Sequence, residues 1–116
     1  LNLIYEKDYT EEAAYEATKE MIDYQTPDAI VTTDDLIAFG VQRALLEQGI
    51  EDVSLVGFNN TVISQYKKPS ISSVDINAEK LGMFAAKLLI NQIEDIPMET
   101  NNYIIDTKLI ERDSTK

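Results

Sequence analysis

The chain has 116 residues and a net charge of −11, from 10 Lys and Arg residues against 21 Asp and Glu residues. It contains no His and no Cys, which excludes Ser-His-Asp and Cys-His catalysis, Cys/His zinc sites, haem ligation by His and disulfide bonds within this chain. The acidic charge argues against a surface for the nucleic-acid backbone, whereas 44% hydrophobic and 27% charged residues are typical of a folded domain.

Hydrophobic periodicity and breaker residues predict alternating strands and helices. In chain order the predicted elements are strand 1–6, helix 10–24, strand 29–33, a helix ending near residue 49, strands 53–58 and 71–75, helix 77–94, and short strands 103–105 and 108–110. Asp8 and Glu11 stand at capping-box spacing before the first helix. Asp34 or Asp35 can cap the second helix, and Gly49 can end it. This order predicts an α/β fold with a mostly parallel sheet and flanking helices.

The last long helix, 77–94, carries an apolar stripe that we expect to face a core. The stripe consists of Leu81, Phe84, Ala85, Leu88 and Ile93. The chain starts without Met and within an apolar run, which indicates part of a longer protein. No signal peptide and no stretch of about 20 apolar residues is visible, so the sequence predicts no membrane partner. The absence of Cys agrees with a cytoplasmic location.

Polar side chains follow each predicted parallel strand, at the sheet edge where ligands bind in this fold class. These strand ends are residues 6–9, residues 33–35, residues 58–60 and Asp75. Tyr9 and Phe58 add aromatic rings to the carboxylates and amides. Such a set suits a neutral polyol, whose hydroxyls hydrogen-bond while its C–H faces pack on the rings. The alternative is that the Asp and Asn residues only cap helices and form turns.

Two other interpretations of the acidic residues stay open from the sequence. Asp34, Asp35 and Asp75 could bind a divalent cation through oxygen. An acidic pair on a parallel sheet is also a feature of receiver domains, but here the pair follows the second strand, and the third strand ends in Phe58 and Asn59 rather than in a phosphate-accepting Asp. The four Gly residues form no phosphate-binding loop.

The second helix carries large apolar residues on both sides. The expected core stripe is formed by Ile37, Val41, Ala44 and Leu45. Phe39 and Leu46, with Arg43 between them, are predicted on the opposite side, where an amphipathic helix is normally polar. This predicts contact with a second copy of the chain, and it predicts that Phe39→Glu breaks a dimer without unfolding the domain. The alternative is that isolated apolar residues are common on surfaces.

Several spaced motifs, in the same order, resemble those of LacI/GalR-type transcriptional regulators. The run PDAIVTTDDLIAFG at 27–40 resembles the PDAIxxxNDxxAxG segment of that family. ALLEQGI at 44–50 and DVSLVGFNN at 52–60 are similar to its ALxxxG and DVSVVGFDD segments, and PSISSV at 69–74 to its PPLTTV segment. The resemblance covers essentially the whole chain.

The resemblance implies a two-lobed, periplasmic-binding-protein-like (type I) sensor, of which this chain is the C-terminal portion of the effector-binding and dimerisation domain. Residues 1–75 would form mainly the C-terminal lobe, residues 76–98 a helix returning to the N-terminal lobe, and residues 99–116 the closing strands. The family's DNA-binding helix-turn-helix would lie outside this chain. The family's two-fold contact would involve Phe39, Arg43 and Leu46 on the second helix and Tyr66 in the following loop.

The resemblance to LacI/GalR-type regulators also implies which residues of this chain contact the effector. Asp34 stands where the family has Asn, Asn59 stands at the first Asp of GFDD, and Tyr9 falls where an aromatic ring stacks on the ligand. The two polar residue types are therefore exchanged between neighbouring strand ends. Ile76 and Ala78 are apolar where the family often has polar or aromatic ligand contacts, so part of the usual site is absent.

We therefore expect the sensor region of a sugar-responsive repressor, a binding module and not an enzyme. The expected partners are a sugar effector, with a maltose-operon regulator as the finer guess, a second copy of the chain, operator DNA through the absent domain, and a corepressor protein. No cofactor and no metal ion are expected. The alternative from another class is a sugar-binding transport protein, and a receiver-like signalling domain is the remote one. Upstream sequence would separate the first two.

Overall fold

The computed structural model describes residues 4–115. Its elements are α1 (Glu11–Tyr24), β1 (Ala29–Val31), α2 (Asp35–Glu47), β2 (Ser54–Phe58), a 3₁₀ helix η1 (Val62–Tyr66), β3 (Ser72–Asp75), α3 (Ala78–Ile93) and β4 (Lys108–Ile110). The four strands form one sheet in the order β1-β2-β3-β4. The first three strands are parallel, and β4 is antiparallel to β3. The predicted α/β class with a mostly parallel sheet is confirmed.

The ends of α1 and α2 are set by local hydrogen bonds. Thr10 is the N-cap of α1, because its hydroxyl accepts the Ala13 N–H at 3.1 Å, so the prediction of a cap at Asp8 is wrong. Asp34 caps α2 as predicted, accepting the Leu36 N–H at 2.7 Å. Gly49 follows α2 with φ of +66°, a left-handed conformation that glycine adopts without a Cβ clash.

The hydrophobic core lies between α2 and the sheet, and α1 packs along α2. Its buried members are Ala14, Ala38, Phe39, Val41, Leu45, Val53, Leu55 and Ile71. Burial of these apolar side chains stabilises the fold by about 25 cal/mol for each Å² of apolar surface removed from water. Ala14 belongs to this core from α1, so α2 is covered by the sheet and by α1, and not by the sheet alone.

Phe39 belongs to this core, so the prediction that it lies on an outer face is wrong. Its exposed fraction is only 7%, and the Lys67 ammonium lies 4.3 Å from the ring centroid. Gln42, one turn further along α2, donates from Nε2 to the Pro69 carbonyl at 2.6 Å. The segment after η1 therefore covers the side of α2 that helical periodicity assigned to solvent. Leu46, by contrast, is 50% exposed, as predicted.

Two predicted strands at the ends of the chain are not present in the described part. In strand 1–6, residues 1–3 lie outside the described residues, and residues 4–6 form no strand. Residues 103–105 also form no strand, and Tyr103 instead stacks on Phe84 with ring centroids 4.6 Å apart. A strand exists only where a second strand pairs with its backbone, and neither segment has such a partner among residues 4–115.

Helix α3 stands apart from the packed layers. No residue of α3 is buried, so the apolar stripe predicted to face a core is uncovered in the described part of the chain. Phe84 and Leu88 are half-buried, whereas Leu81 and Ile93 are exposed. The described chain is accordingly elongated, with extents of 57 × 26 × 23 Å. None of the helices within residues 4–115 combines the length and the apolar character needed to cross a membrane.

The Asp35 carboxylate is fully buried and joins three elements. Its Oδ2 atom accepts the Thr61 N–H at 2.6 Å, the Thr61 hydroxyl at 2.9 Å and the Ser64 hydroxyl at 2.5 Å. Its Oδ1 atom accepts the Ser73 hydroxyl at 2.6 Å. A buried carboxylate is tolerable only when donors replace its water, and here four neutral donors do so. The start of α2, η1 and β3 are thereby held together.

Gly57 provides the space for this carboxylate. A Cβ atom added at Gly57 would overlap Asp35 Oδ1, whereas a Cβ at Gly82 in α3 would have nothing within 4 Å. We expect Gly57→Ala to lower the free energy of unfolding by about 1–3 kcal/mol, as overpacking does. The control Gly82→Ala should raise it by up to about 1 kcal/mol, since alanine favours the helix. Urea denaturation followed by circular dichroism measures both, and equal stability of the two variants would contradict the packing described.

Candidate functional site

The carboxyl ends of β1 and β2 bring two of the predicted site residues into contact. The Asn59 side-chain amide donates from Nδ2 to Asp34 Oδ2. The other carboxylate oxygen of Asp34 accepts the Leu36 N–H at the start of α2. Both side chains are half-buried, so each keeps one side toward solvent. The strand ends thus converge as the parallel topology predicts, and they place a carboxylate and an amide side by side.

Tyr9 joins this pair from the segment before α1. Partial desolvation raises the pKa of the Tyr9 phenol, and the neighbouring Asp34 carboxylate raises it further through a hydrogen bond and its charge, while a hydrogen bond with Thr33 lowers it. The phenol therefore remains a neutral hydrogen-bond donor throughout the physiological pH range. Its side chain is 60% exposed, so the ring is accessible to a ligand. All three predicted ligand residues, Tyr9, Asp34 and Asn59, lie in one place.

A cavity of about 650 Å³ adjoins the site. It lies between residues 5–9, α1 and β1, and Tyr9 and Thr33 are part of its lining. Further in, its lining is apolar and includes Ala14, Ile30 and Val41. Because two of these residues are in the core and Ile30 packs against it, the inner part continues the hydrophobic core. The lining also contains polar residues, among them Tyr9 and the buried Thr18 and Thr32.

The backbone at Asn59 and Asn60 is left-handed, with φ of +87° and +49°. Asn adopts this conformation more readily than most residues. The segment is fixed by the Asn59 N–H, which donates to the Val74 carbonyl at 2.9 Å, and by the Asn60 N–H, which donates to the Ser73 hydroxyl at 2.9 Å. The turn that the sequence offered as an alternative role for these Asn residues is therefore present, together with the contact from Asn59 to Asp34.

The Asn60 side chain is held from both sides. Arg112 donates from Nη2 to Asn60 Oδ1 at 2.7 Å, and Asn60 donates from Nδ2 to Asp75 Oδ2 at 3.2 Å. Asp75 Oδ1 in turn accepts the Asn77 N–H at 2.8 Å, next to the start of α3. Sequence reasoning included Asn60 in the polar strand end 58–60 but missed Arg112, because the two residues lie 52 positions apart and no local pattern connects them.

The acidic residues that could have bound a cation have separate partners. Asp35 is enclosed by Ser and Thr hydroxyls, whereas Asp75 binds Asn60 and Asn77. Between residues 4 and 115 no three side chains of the Asp, Glu, His and Cys types form a group suited to a metal ion. The geometry of Asp34 and Asn59 favours a ligand with hydroxyl groups over a cation, because an amide N–H repels a positive charge.

The residues predicted at a dimer contact differ in exposure. Leu46 and Tyr66 are exposed, Tyr66 by 74%. Arg43 binds within the chain: its Nη2 lies 2.7 Å from a Glu12 carboxylate oxygen, and its guanidinium lies 3.8 Å from the ring centroid of Tyr15. Beside Tyr66, η1 exposes two further large apolar residues, Val62 and Ile63. The sequence analysis placed Tyr66 in a loop and did not identify these two residues.

Comparison with protein families matches residues 2–115 to the periplasmic binding protein-like domain. The chain belongs to this family. It is similar to the ribose operon repressor of Halalkalibacterium halodurans, with 31% identity over 99% of this chain and 36% of the relative. It is also similar to the HTH-type transcriptional regulator GalR of Streptococcus thermophilus, with 34% identity over 94% of this chain and 34% of the relative. The predicted resemblance to LacI/GalR-type regulators is confirmed, and the receiver-like alternative is wrong.

Solved structures of LacI-type regulators share the fold. The transcription regulator CcpA of Lactococcus lactis superimposes with a TM-score of 0.90 at 27% identity, over 99% of this chain and 43% of that chain. A LacI family regulator from Enterococcus faecium with bound ribose gives a TM-score of 0.84 at 28% identity, over 94% and 41% of the two chains. The regulator CelR in complex with cellobiose also gives 0.84 at 28% identity, over 93% and 34%. The chain spans about a third of the length of the curated relatives described above.

The environment of Tyr9 predicts a pH dependence. Since Asp34 is one cause of the raised pKa, Asp34→Asn should move the Tyr9 titration to lower pH without returning it fully to the ordinary value, because desolvation remains. Tyrosinate formation is followed by ultraviolet absorbance. The titration curve of the wild-type protein minus that of Tyr9→Phe gives the signal of Tyr9 alone among the six Tyr. The same difference taken with Asp34→Asn should begin at lower pH. A titration that stays in place would show that Tyr9 and Asp34 are not neighbours.

Proposed function

We propose that this chain is the effector-binding and dimerisation region of a sugar-responsive transcriptional repressor. In this proposal a small sugar or polyol, bound at the carboxyl ends of β1 and β2, controls the DNA affinity of a helix-turn-helix elsewhere in the full-length, cytoplasmic protein. The observation that carries the proposal is the grouping of Tyr9, Asp34 and Asn59 at one end of the sheet. The relatives described above are regulators, which favours this function over a sugar-binding transport protein.

The chemistry of the three residues supports a neutral ligand. Asp34 can accept a hydrogen bond from a hydroxyl, Asn59 can both donate and accept, and the exposed Tyr9 ring can pack on the C–H face of a sugar ring. The carboxylate disfavours anionic ligands, as does the net charge of −11. Among the structural relatives, the bound sugars include ribose and cellobiose, which are both uncharged. A maltose-type sugar stays a prediction from the sequence for this chain.

The uncovered α3 helix supports a two-lobed arrangement. Residues 1–75 would belong mainly to one lobe, α3 would pack its apolar side against the other, and residues 99–116 would return to the sheet. The return of β4 and residues 112–115 to β3 agrees with this path. Small-molecule sites are normally enclosed on most sides. A ligand seated on Asp34 and Asn59 would therefore gain most of its remaining contacts from the other lobe.

The homodimer in this proposal uses the exposed apolar side chains at the end of α2 and on η1. These are Leu46, Val62, Ile63 and Tyr66. A two-fold contact would pair this surface with the same surface of a second copy, so each substitution would alter the interface at two places. Phe39 would support this surface from beneath, and Arg43 would contribute only what its bonds to α1 leave accessible.

The effector site is tested by calorimetric titration of the full-length protein with ribose, maltose, lactose and cellobiose. For whichever sugar binds, Asn59→Ala should weaken binding by about 0.5–1.5 kcal/mol, the value of one hydrogen bond. Asp34→Ala should weaken it further, because Asn59 also loses its partner. The matched control is Asn101→Ala, in an exposed bend away from the strand ends. Unchanged binding in both Asn59→Ala and Asp34→Ala would show that the site is elsewhere.

The dimer surface is tested by Leu46→Glu, which would place two carboxylates in an apolar contact. Sedimentation should show a shift from dimer to monomer, while circular dichroism remains that of the wild type. Phe39→Glu should instead unfold the chain, at a cost of at least about 3 kcal/mol, because it introduces a charge into the core. Tyr24→Glu, at the exposed end of α1, is the control that leaves the oligomeric state unchanged. A stable Leu46→Glu dimer would move the interface to another surface.

A further inference from the structure

We propose that Arg112 is a positioning residue for the effector site. Through Asn60 it holds the strand end that presents Asn59, and through Asn60 and Asp75 it connects that strand end to the start of α3. The inference rests on the proposed function, which makes Asn59 an effector contact. It concerns how this contact is fixed in place, and it assigns no ligand contact to Arg112 itself.

The guanidinium of Arg112 reaches two parts of the sheet at once. One terminal nitrogen, Nη1, donates to the Ile71 carbonyl at 2.7 Å, and the other, Nη2, donates to Asn60 Oδ1 at 2.7 Å. The Arg112 backbone N–H donates to the Ser72 hydroxyl at 2.7 Å, which fixes the residue against β3. The planar, forked guanidinium suits this double contact, and a Lys ammonium would not reproduce its geometry.

The contact to Asn60 matters because of the backbone conformation that it supports. Asn59 and Asn60 are both left-handed, a conformation that persists in residues other than glycine only where the surroundings impose it. Asn60 is held by three side chains: Arg112 on its carbonyl oxygen, Asp75 on its amide nitrogen and Ser73 on its backbone N–H. These contacts restrain the peptide bond between Asn59 and Asn60, and hence the backbone from which the Asn59 side chain reaches Asp34.

The same network extends to α3. Asp75 accepts from Asn60 on one oxygen and from the Asn77 N–H on the other, and Asn77 is the left-handed residue directly before α3. The hydrogen bonds have a fixed polarity, in which a cation donates to an amide and the amide donates to a carboxylate. Without Arg112 the Asn60 carbonyl oxygen loses its donor, the amide is free to rotate away from Asp75, and fewer contacts restrain the left-handed backbone that positions Asn59.

The test is calorimetry on the full-length protein with the tightest binder among ribose, maltose, lactose and cellobiose. Arg112→Gln should weaken binding threefold to tenfold, as expected for an effect of about one hydrogen bond. In an Asn59→Ala background the same change should have no further effect, because the residue that Arg112 positions is gone. The matched control, Asp113→Asn, alters the next residue, whose carboxylate accepts the Ser70 hydroxyl at 2.7 Å, and should bind the sugar normally.

An exchange of donor and acceptor gives a second test that leaves Arg112 intact. Asn60→Asp keeps the acceptor for Arg112 but places a carboxylate against Asp75, so sugar binding should weaken. Adding Asp75→Asn restores a donor opposite the new carboxylate and should return the affinity to within about twofold of the wild type. A role limited to general stability would not predict recovery in the double variant, whose thermal unfolding is measured in parallel.

Hydrogen exchange provides a readout that needs no sugar. Arg112→Gln should speed exchange at residues 59–61 and 77–81, and Asp113→Asn should not. Three results would each overturn the inference. The first is wild-type sugar affinity or wild-type hydrogen exchange in Arg112→Gln, and the second is an equal loss in Arg112→Gln and Asp113→Asn. The third is a double variant, Asn60→Asp with Asp75→Asn, that fails to recover sugar affinity. If Asn59→Ala itself binds normally, the effector site is misplaced and the positioning role fails with it, which is a different result from failure of Arg112→Gln alone.

Discussion

The buried carboxylate of Asp35 determines where the other parts of the site can lie. It has no cation beside it among the described residues, and its charge is balanced by hydroxyl and amide donors from η1 and β3. Because α2 begins at this residue, the carboxylate also fixes the helix start against η1 and β3. Removing one donor would leave a buried anion undersolvated, so the arrangement changes as a unit. Asp34 and Asn59 take their positions from this fixed junction.

The ends of β1 and β2 each carry a pair of polar residues with divided roles. Asp34 and Asn59 stand at the accessible side and contact one another, whereas Asp35 and Asn60 turn inward and bind the framework. Asp34 is extended at the start of α2, whereas Asn59 and Asn60 are left-handed, and in both places two adjacent polar side chains take different directions. In the positioning role proposed above, the inward residue Asn60 restrains the backbone of the outward residue Asn59.

The exchange of Asn and Asp relative to the LacI/GalR pattern leaves one amide and one carboxylate at these two positions. Here the carboxylate is on β1 and the amide on β2, and the amide donates to the carboxylate. In the family pattern the same two positions hold an amide and a carboxylate in the opposite order. Two carboxylates would repel one another, so a complementary pair is the combination that both arrangements share. The groups offered to a hydroxylated ligand are then the same, but in a reversed order across the site.

Local pattern and topology determined most of this protein from the sequence. Near neighbours in the sequence determine the periodicity of the three helices, the cap at Asp34 and the helix end at Gly49. Parallel strands necessarily bring Asp34 and Asn59 to one edge of the sheet. The burial of Phe39 was decided only in three dimensions, because helical periodicity assumes one covered side and α2 is covered on more than one. The Arg112–Asn60 bond was also decided there, since it joins residues 52 apart that meet only when the sheet is complete. Side-chain periodicity reports which residues share a face, and only the packed structure determines what covers that face.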